Sequence, residues 1–470
     1  MLSAQQLATM SGGKTTGQWQ ACGVTTDTRT LSSQSFYVAL VGPNFNGHDF
    51  VKEALAKGAA GALVSQYVPD APEEKQIVVP DTLKAMADIG STLRKKFSGQ
   101  VVGLTGSAGK TTTREGLKSV LSHFGNTYAT EKNFNNHIGV PITLCNMPEA
   151  GDYAVFEMAM DKSGEIAHLT NMIQPNIALI TNIYPMHIEN FANLEGIAHA
   201  KAEIFEGLPK SGTAIFNADA NHADILRQKA EALGIKNILT FGESGNIRLA
   251  EHTQSRDQSI VSADVAGISV TFTLSTPGTH RIYNALAILA VVCALGLDPQ
   301  EAAPHLDNIG ALPGRGKTTR LPLPNGGHFT LIDESYSGQP EAMRLALENM
   351  QHIPLKNKGR RIAVLGQMAE LGTHSEAEHT SVGHAAAEAR LDLVIGIGEH
   401  VRPLLKATQK TTETQFRPNI HGLTDELTSN ILQDGDVLLI KGSRYSSRVF
   451  EVADALLALK GEASPHVTAV

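Results

Sequence analysis

The residues best equipped for chemistry lie in one run, Val101-Val-Gly-Leu-Thr-Gly-Ser-Ala-Gly-Lys-Thr-Thr-Thr113. An apolar strand enters a loop of small residues, and Arg114-Glu-Gly-Leu-Lys-Ser-Val-Leu121 after it is compatible with a helix. Small side chains let successive backbone N–H groups close around phosphate oxygens, and the helix adds its positive N-terminal end. Lys110 supplies a point charge, and the Thr111 hydroxyl can ligate Mg²⁺. The spacing is off the common pattern. G-x-x-x-x-G-K-[ST] requires glycine at 104, where this chain has Leu104, and the early glycines are Gly103 and Gly106. The loop therefore reads as a phosphate cradle unlike that of motors and GTPases. A glycine-rich turn with a chance Lys-Thr is the plain alternative, against which the strand before and the helix after both count.

Acids and amides stand at neighbouring strand ends. Tyr153-Ala-Val-Phe156 delivers Glu157 at its carboxyl end, where an open α/β sheet puts its ligand crevice. Such a carboxylate can hold a phosphate-bound Mg²⁺, or it is simply a solvated strand-end acid. The strand Ile177–Ile180 leads into a loop carrying His187 and Glu189. A loop histidine taken alone is more often a surface or packing residue. Asn133-Phe-Asn-Asn-His-Ile-Gly-Val-Pro141 is rich in amides, which grip polar substrates or serve only backbone geometry.

These residues need parallel sheets to position them. Up to Phe97-Ser-Gly-Gln100, short strands (Ser35–Val41, Gly61–Val64) and a helix (Phe50–Gly58) read as a small α/β unit. Strands at 101–104, 153–156, 177–180, 212–216 and 237–241 alternate with helical stretches, which predicts a largely parallel, doubly wound sheet. Residues 247–275 run in short β-like alternations, and Asn284–Leu297 reads as a buried helix. Strands at 328–332, 361–365, 393–396 and 436–440 predict a second parallel-sheet domain, and 461–470 reads as a frayed tail.

Composition narrows the class. At 470 residues the chain is too long for one core, and three domains are expected. Its 42% hydrophobic content is ordinary for a globular protein, and a net charge of −8 gives no electrostatic footprint for nucleic acid or an anionic membrane. Cys22, Cys145 and Cys293 are too far apart for a zinc spacing or a disulfide framework and read as buried packing residues in a reducing compartment. With no signal-peptide pattern and no apolar run long enough for a membrane span, a cytoplasmic protein is expected.

Thr105-Gly-Ser-Ala-Gly-Lys-Thr-Thr112, Asn133-Phe-Asn-Asn-His-Ile-Gly139, Thr181-Asn followed by His187, and Ala200-Lys-Ala-Glu-Ile204 resemble the Mur ligases of peptidoglycan synthesis. Thr-Gly-Ser-x-Gly-Lys-Thr is that family's form of the phosphate loop, which accounts for the glycine spacing. Thr26-Asp-Thr-Arg29, Asn46-Gly-His-Asp-Phe50, Gly164-Glu-Ile166, Asp333-Glu-Ser-Tyr336, Ala363-Val-Leu-Gly366 with Glu370-Leu-Gly372, and Lys441-Gly-Ser-Arg444 extend the likeness over nearly the whole chain. They are most like the branch that joins D-alanyl-D-alanine to UDP-N-acetylmuramoyl-tripeptide. The resemblance implies an ATP-dependent ligase that forms a C–N bond through an acyl phosphate, and with it a part in cell-wall growth, shape and division.

It also implies a plan of three α/β domains: 1–98 for the UDP-sugar, 99–315 with the phosphate loop for ATP, and a Rossmann-like 316–470 that closes over ATP and binds the amine. Gly106, Ser107, Ala108, Gly109, Lys110, Thr111 and Thr112 would hold ATP, with Asn284 near the adenine and Arg315 and Asp333 at the inter-domain edge. Thr111, Glu157, His187 and Lys201 would hold two Mg²⁺, Lys201 being the lysine this family carbamylates. Lys110, Glu157, His187 and Lys201 form the catalytic set, and Thr26, Asp27, Arg29, Asn135, Asn136 and Tyr336 the substrate set. Without the family, Lys201 reads as a helix-surface lysine. A monomer is expected. The chain departs from the family pattern at Ala159, at Gln367, and at Ser337-Gly338-Gln339, where an amide contact is either lost or remade by Gln339. Two other readings stand beside this one: a related ligase with another amine or a folylpolyglutamate-type synthase, and a nucleotide-dependent switch.

Overall fold

The structure, a computed structural model, describes residues 1–459 except 187, 256–257, 276–277, 308, 310–313, 352, 354 and 356–357. His187 and the tail 461–470 therefore lie outside the described residues, while the expected boundary at 315–316 lies within them.

Three main sheets follow one another along the chain. The first has four parallel strands in the order Val24–Thr25, Phe36–Val38, Gly61–Val64, Gln76–Val78. Helix Thr82–Arg94 closes it. Asp81 starts that helix by accepting from the Leu83 and Lys84 N–H groups, both at 2.9 Å, which satisfies two donors that a helix start leaves open.

The second sheet has nine strands. The phosphate-loop strand Gln100–Thr105 lies between Tyr153–Glu157 and Ile177–Ile180, parallel to both. Thr127–Ala129 lies outside Tyr153–Glu157, while Thr213–Asn217 and Asn237–Gly242 follow on the other side. Strand order thus reverses at Gln100–Thr105, and a crevice opens at the carboxyl ends there. The alternating stretch 247–275 forms Ile247–Gln254, Ser259–Val265 and Ile268–Leu274, an antiparallel extension of the same sheet. Helices Lys110–Phe124 and Thr279–Ala294 cover one face; Glu165–Ile173, Leu194–Ala202 and Ala223–Ala232 cover the other. The helix expected from Asn284 starts five residues earlier, at Thr279, because its first turn carries polar His280 and Arg281 into the domain seam and so lacks the apolar pattern.

The third sheet runs Lys317–Pro322, His328–Glu334, Val437–Lys441, Arg361–Gly366, Leu393–Ile397, Glu413–Arg417. It is parallel except for its first, edge strand, which pairs antiparallel with the second. The cysteine expectation needs correction. Cys145 is buried, its thiol donating to the Met86 carbonyl at 3.3 Å, but Cys22 sits exposed in the turn after Gln20–Ala21, and Cys293 is half-buried. Among the described residues no helix is long and apolar enough to cross a membrane.

Candidate active site

The reversal of strand order brings three loops together: the phosphate loop, the turn after Glu157, and Thr181-Asn182. Gly106 has φ 151° and Gly109 φ 79°, backbone that L side chains rarely adopt. A Cβ at Gly106 would overlap the Thr181 hydroxyl, and one at Gly109 would lie 2.6 Å from Asn284 Oδ1. Neighbouring loops hold the cradle rigidly. The Ala108 N–H donates to Asn182 Oδ1 at 2.8 Å, Thr181 Oγ1 donates to the Ala108 carbonyl at 2.7 Å, and Ser107 Oγ donates to the Tyr184 carbonyl at 2.9 Å. The first-turn N–H groups of helix Lys110–Phe124 have no partner within the helix and face the same space, as an anion site requires.

Charge converges on this cradle. Lys110 Nζ donates to the Gly106 carbonyl at 2.8 Å. Burial lowers its pKa, with Glu157 opposing that shift and Arg315 adding to it. Glu157 is only 1% exposed yet fully engaged. Its Oε1 accepts from Thr111 Oγ1 at 3.2 Å and Asn135 Nδ2 at 2.8 Å, and its Oε2 from Arg114 Nη1 at 3.2 Å. Burial decides against the solvated-acid reading. Arg114 had been overlooked, although it stands four residues after Lys110 on one helix face, a spacing that carries the signal.

Lys201 is 2% exposed, which removes the helix-surface reading. Burial holds its pKa well below the usual lysine range, and the Lys110 charge lowers it further. An unprotonated amine is the form that reacts with CO₂. Lys201 does not line the cavity. It is nonetheless close enough to Lys110, which does line it, for the two charges to interact.

The cavity, about 940 Å³, lies between the second and third sheets, carboxyl ends facing each other. Ser107 to Thr112, Asn135, Asn136, Glu157, Ala159 and Asn284 line one side; Tyr336 to Gln339, Glu370, Lys441 and Ser443 to Tyr445 line the other. Arg315, between the two domains, stacks over the Tyr336 ring at 3.9 Å from its centroid. Asp333 is not in the cavity wall. Its carboxylate accepts from the Gly314 N–H at 2.8 Å and Ser335 Oγ at 2.6 Å, which shapes the turn presenting Arg315. Asn135 reaches Glu157, whereas the Asn136 amide accepts from the Ile138 and Gly139 N–H groups at 3.1 and 2.9 Å and so serves backbone geometry. Gln339 puts an amide at the wall where the motif changed, and its buried Oε1 has no partner among the described residues. Gln367 lies outside this cavity and ties strand ends together, donating to the Ser446 carbonyl at 3.2 Å.

Thr26, Asp27 and Arg29 are not brought to the cavity. Asp27 pairs with Arg29 at 2.8 Å, and that hydrogen bond lowers its pKa, with a smaller contribution from Lys132 at the head of the amide-rich loop. Four residues at the seam are given no role by the sequence reading, although Glu334 and Lys441 stand in the motifs quoted for it: His280, Arg281, Glu334 and Lys441, all in the cavity wall. Lys441 Nζ donates to Glu334 Oε2 at 3.2 Å. Burial alone would raise the Glu334 pKa, but Lys441 and Arg281 outweigh it and the pKa falls. Burial, then Arg281, lowers His280 to about 4.

A phosphate cradle at a point of strand reversal, a buried carboxylate beside the loop threonine, and a second parallel sheet facing them define a phosphate-loop nucleotide-binding α/β protein. Comparison with known proteins narrows the class. The model of the Mur ligase middle domain matches residues 104–292, and that of the Mur ligase, glutamate ligase domain matches residues 320–444. UDP-N-acetylmuramoyl-tripeptide–D-alanyl-D-alanine ligase of Escherichia coli K12 is 36% identical over 445 residues, 92% of this chain and 93% of the relative. Among solved structures, MurF from Acinetobacter baumannii superposes with a TM-score of 0.85 at 29% identity, over 97% of this chain and 98% of its own. MurF ligase from Thermotoga maritima in complex with ADP gives 0.78 at 26% identity, over 94% and 98%. The chain belongs to the Mur ligase family.

Proposed function

We propose that the chain is an ATP-dependent ligase that joins D-alanyl-D-alanine to the terminal carboxylate of UDP-N-acetylmuramoyl-tripeptide, in peptidoglycan precursor synthesis. The observation that carries the reading is the cleft itself: Lys110, Thr111 and Glu157 on one wall and a second sheet's strand ends on the other, in a chain over 90% aligned with the E. coli enzyme of that name. Residues 1–98 bind the UDP-sugar, 99–315 bind ATP, and 316–470 close over it and take the amine. Thr26, Asp27 and Arg29 stand on the first sheet's side of the amide-rich loop, which suits contact with the UDP-sugar end of the substrate.

A carboxylate is a poor acyl donor and must be activated. Its oxygen attacks the γ-phosphorus of ATP, the P–O bond to ADP breaks, and an acyl phosphate forms. The D-alanyl-D-alanine amine adds to the acyl carbon, phosphate departs with the attacking oxygen, and the amine proton is released. Lys110 and the helix N-terminus hold the phosphates and offset repulsion between the two anions. Asn284 and Arg315 orient the nucleotide. Acyl phosphates hydrolyse, so a cleft between domains that excludes water protects the intermediate.

The oxygen donors beside the loop fit Mg²⁺, which takes one or two carboxylates together with substrate phosphates and water. Thr111 and Glu157 would hold one ion, and His187 with Lys201 as its carbamate the other. Lys201 fits this role because burial and then the Lys110 charge both favour its neutral amine, the form that adds CO₂ and loses a proton to become an anionic oxygen donor. When bound, the ions would supply positive charge to the triphosphate and the incoming carboxylate. A monomer in the cytoplasm, where ATP and a UDP-linked precursor are at hand, is the state in which we expect the enzyme to act. Phosphate release measured across UDP-muramyl peptides and amines tests the reading. Release should rise only when UDP-N-acetylmuramoyl-tripeptide and D-alanyl-D-alanine are both present; a stronger response to a single amino acid would favour a related ligase instead.

A further inference from the structure

Three charged side chains cluster where the central domain meets the third sheet. Arg281, 3% exposed, begins helix Thr279–Ala294; Glu334 ends strand His328–Glu334; and Lys441, 1% exposed, ends Val437–Lys441. Arg281 Nη2 donates to the Arg315 carbonyl at 2.9 Å, and its Nη1 to the Ile309 carbonyl at 3.4 Å. Lys441 Nζ donates to Glu334 Oε2 at 3.2 Å and to the Ser337 carbonyl at 3.1 Å. Gly316 marks where the groups converge. It has φ 91°, and a Cβ there would overlap Arg281 Nη2 and lie 2.9 Å from Glu334 Oε1.

The two cations therefore grip backbone on either side of one feature, the Arg315 guanidinium stacked on Tyr336, whose N–H donates to the Gly314 carbonyl at 3.1 Å. Stability alone does not explain such a cluster, since well-packed apolar residues often replace buried ion pairs without loss. Arg281 Nε even lacks a partner among the described residues. What the cluster does supply is fixed geometry at a cleft wall where His280 Nδ1 and Gln339 Oε1 are also buried without partners among the described residues.

We propose that Arg281, Glu334 and Lys441 form a relay across the domain seam that sets the pose of Arg315 and Tyr336 for the nucleotide, with Arg281 a positioning residue acting through Arg315. The inference rests on the reading that this cleft takes ATP. ADP binding to the full-length protein, with melting followed in parallel, separates the two. Arg281→Gln and Arg315→Gln should each weaken ADP binding by about tenfold, and the double variant by no more than about tenfold, because residues acting as one unit are not additive. Wild-type ADP affinity in Arg281→Gln, or losses that multiply to about a hundredfold in the double variant, would overturn the relay while leaving the nucleotide site in place. Wild-type affinity in Arg315→Gln would overturn it too, by removing Arg315 from that site, and failure of the wild type to bind ADP would overturn the ATP reading itself. If Arg281→Gln no longer melts cooperatively, Glu334→Gln carries the same test: it leaves two cations facing each other and should weaken ADP binding non-additively with Arg315→Gln, and unchanged affinity would refute the relay.

Discussion

The central domain meets its two neighbours in opposite ways. Toward the first sheet, Ile142 and Cys145 lie in the same apolar cluster as Leu7, Phe36, Leu63, Met86 and Leu93, so the two units share a core. Its buried polar contacts are mainly bonds to backbone, with one exposed ion pair, Lys96 to Glu149 at 3.5 Å, at the rim: Arg94 donates to the Ile173 and Gln174 carbonyls at 2.6 and 2.9 Å, and Asn146 exchanges two hydrogen bonds with Val24 at 2.8 and 2.9 Å. Toward the third sheet the seam is a cavity walled by Lys110, Glu157, Arg281, Glu334 and Lys441. A shared apolar core resists relative motion, whereas a polar, solvent-containing interface permits it. The first seam should move as one body and the second should close over substrates.

Substitutions at the two seams should separate activity from stability. Lys110→Met, at the heart of the open seam, should lower kcat by about 10²–10³-fold, the usual cost of removing one preorganised charge, with the melting temperature retained. Steady-state phosphate release with a melting control checks it. Lys201→Ala should lose about a hundredfold in turnover and regain part of it with added acetate or formate, which can stand in for the carbamate. Full activity in that variant would sink the carbamate assignment. Arg94→Met, at the closed seam, strands several carbonyls and should cost about 2 kcal/mol in denaturant unfolding while ADP affinity stays as in the wild type. A weaker nucleotide affinity there would break the comparison.

A further effect, on stability alone, is in pH dependence. His280 titrates near 4 in the folded protein and near its ordinary 6.5 when unfolded. Between these values the unfolded chain binds more protons, so this contribution to stability is present above 6.5 and is lost as pH falls through 4. His280→Gln should therefore show a shallower decline in melting temperature between pH 7 and pH 4.5, and an unchanged slope would place the titration elsewhere.

What could be read from the sequence divides along the same line as the seams. Tyr153–Glu157 and the phosphate loop were legible because apolar runs ending in glycine or acid report a strand and its carboxyl end within a few residues. The burial of Lys201 was not, since Ala200-Lys-Ala carries no periodic signal and only the packing of Leu194–Ala202 against the sheet hides the side chain. Arg281, Glu334 and Lys441 are distant in sequence and become a cluster only when two sheets face each other. Asp333, expected at the inter-domain edge, bonds to Gly314 and Ser335 in the turn behind Arg315, a contact that no run of residues around it announces.

The chemistry proposed for the open seam makes one demand on the fate of an atom. If the tripeptide carboxylate attacks ATP, one of its oxygens must leave as part of inorganic phosphate. With substrate labelled with ¹⁸O in that carboxylate, mass analysis of the released phosphate should find one labelled oxygen per phosphate formed. Phosphate carrying no label, alongside normal amide formation, would contradict the acyl-phosphate route.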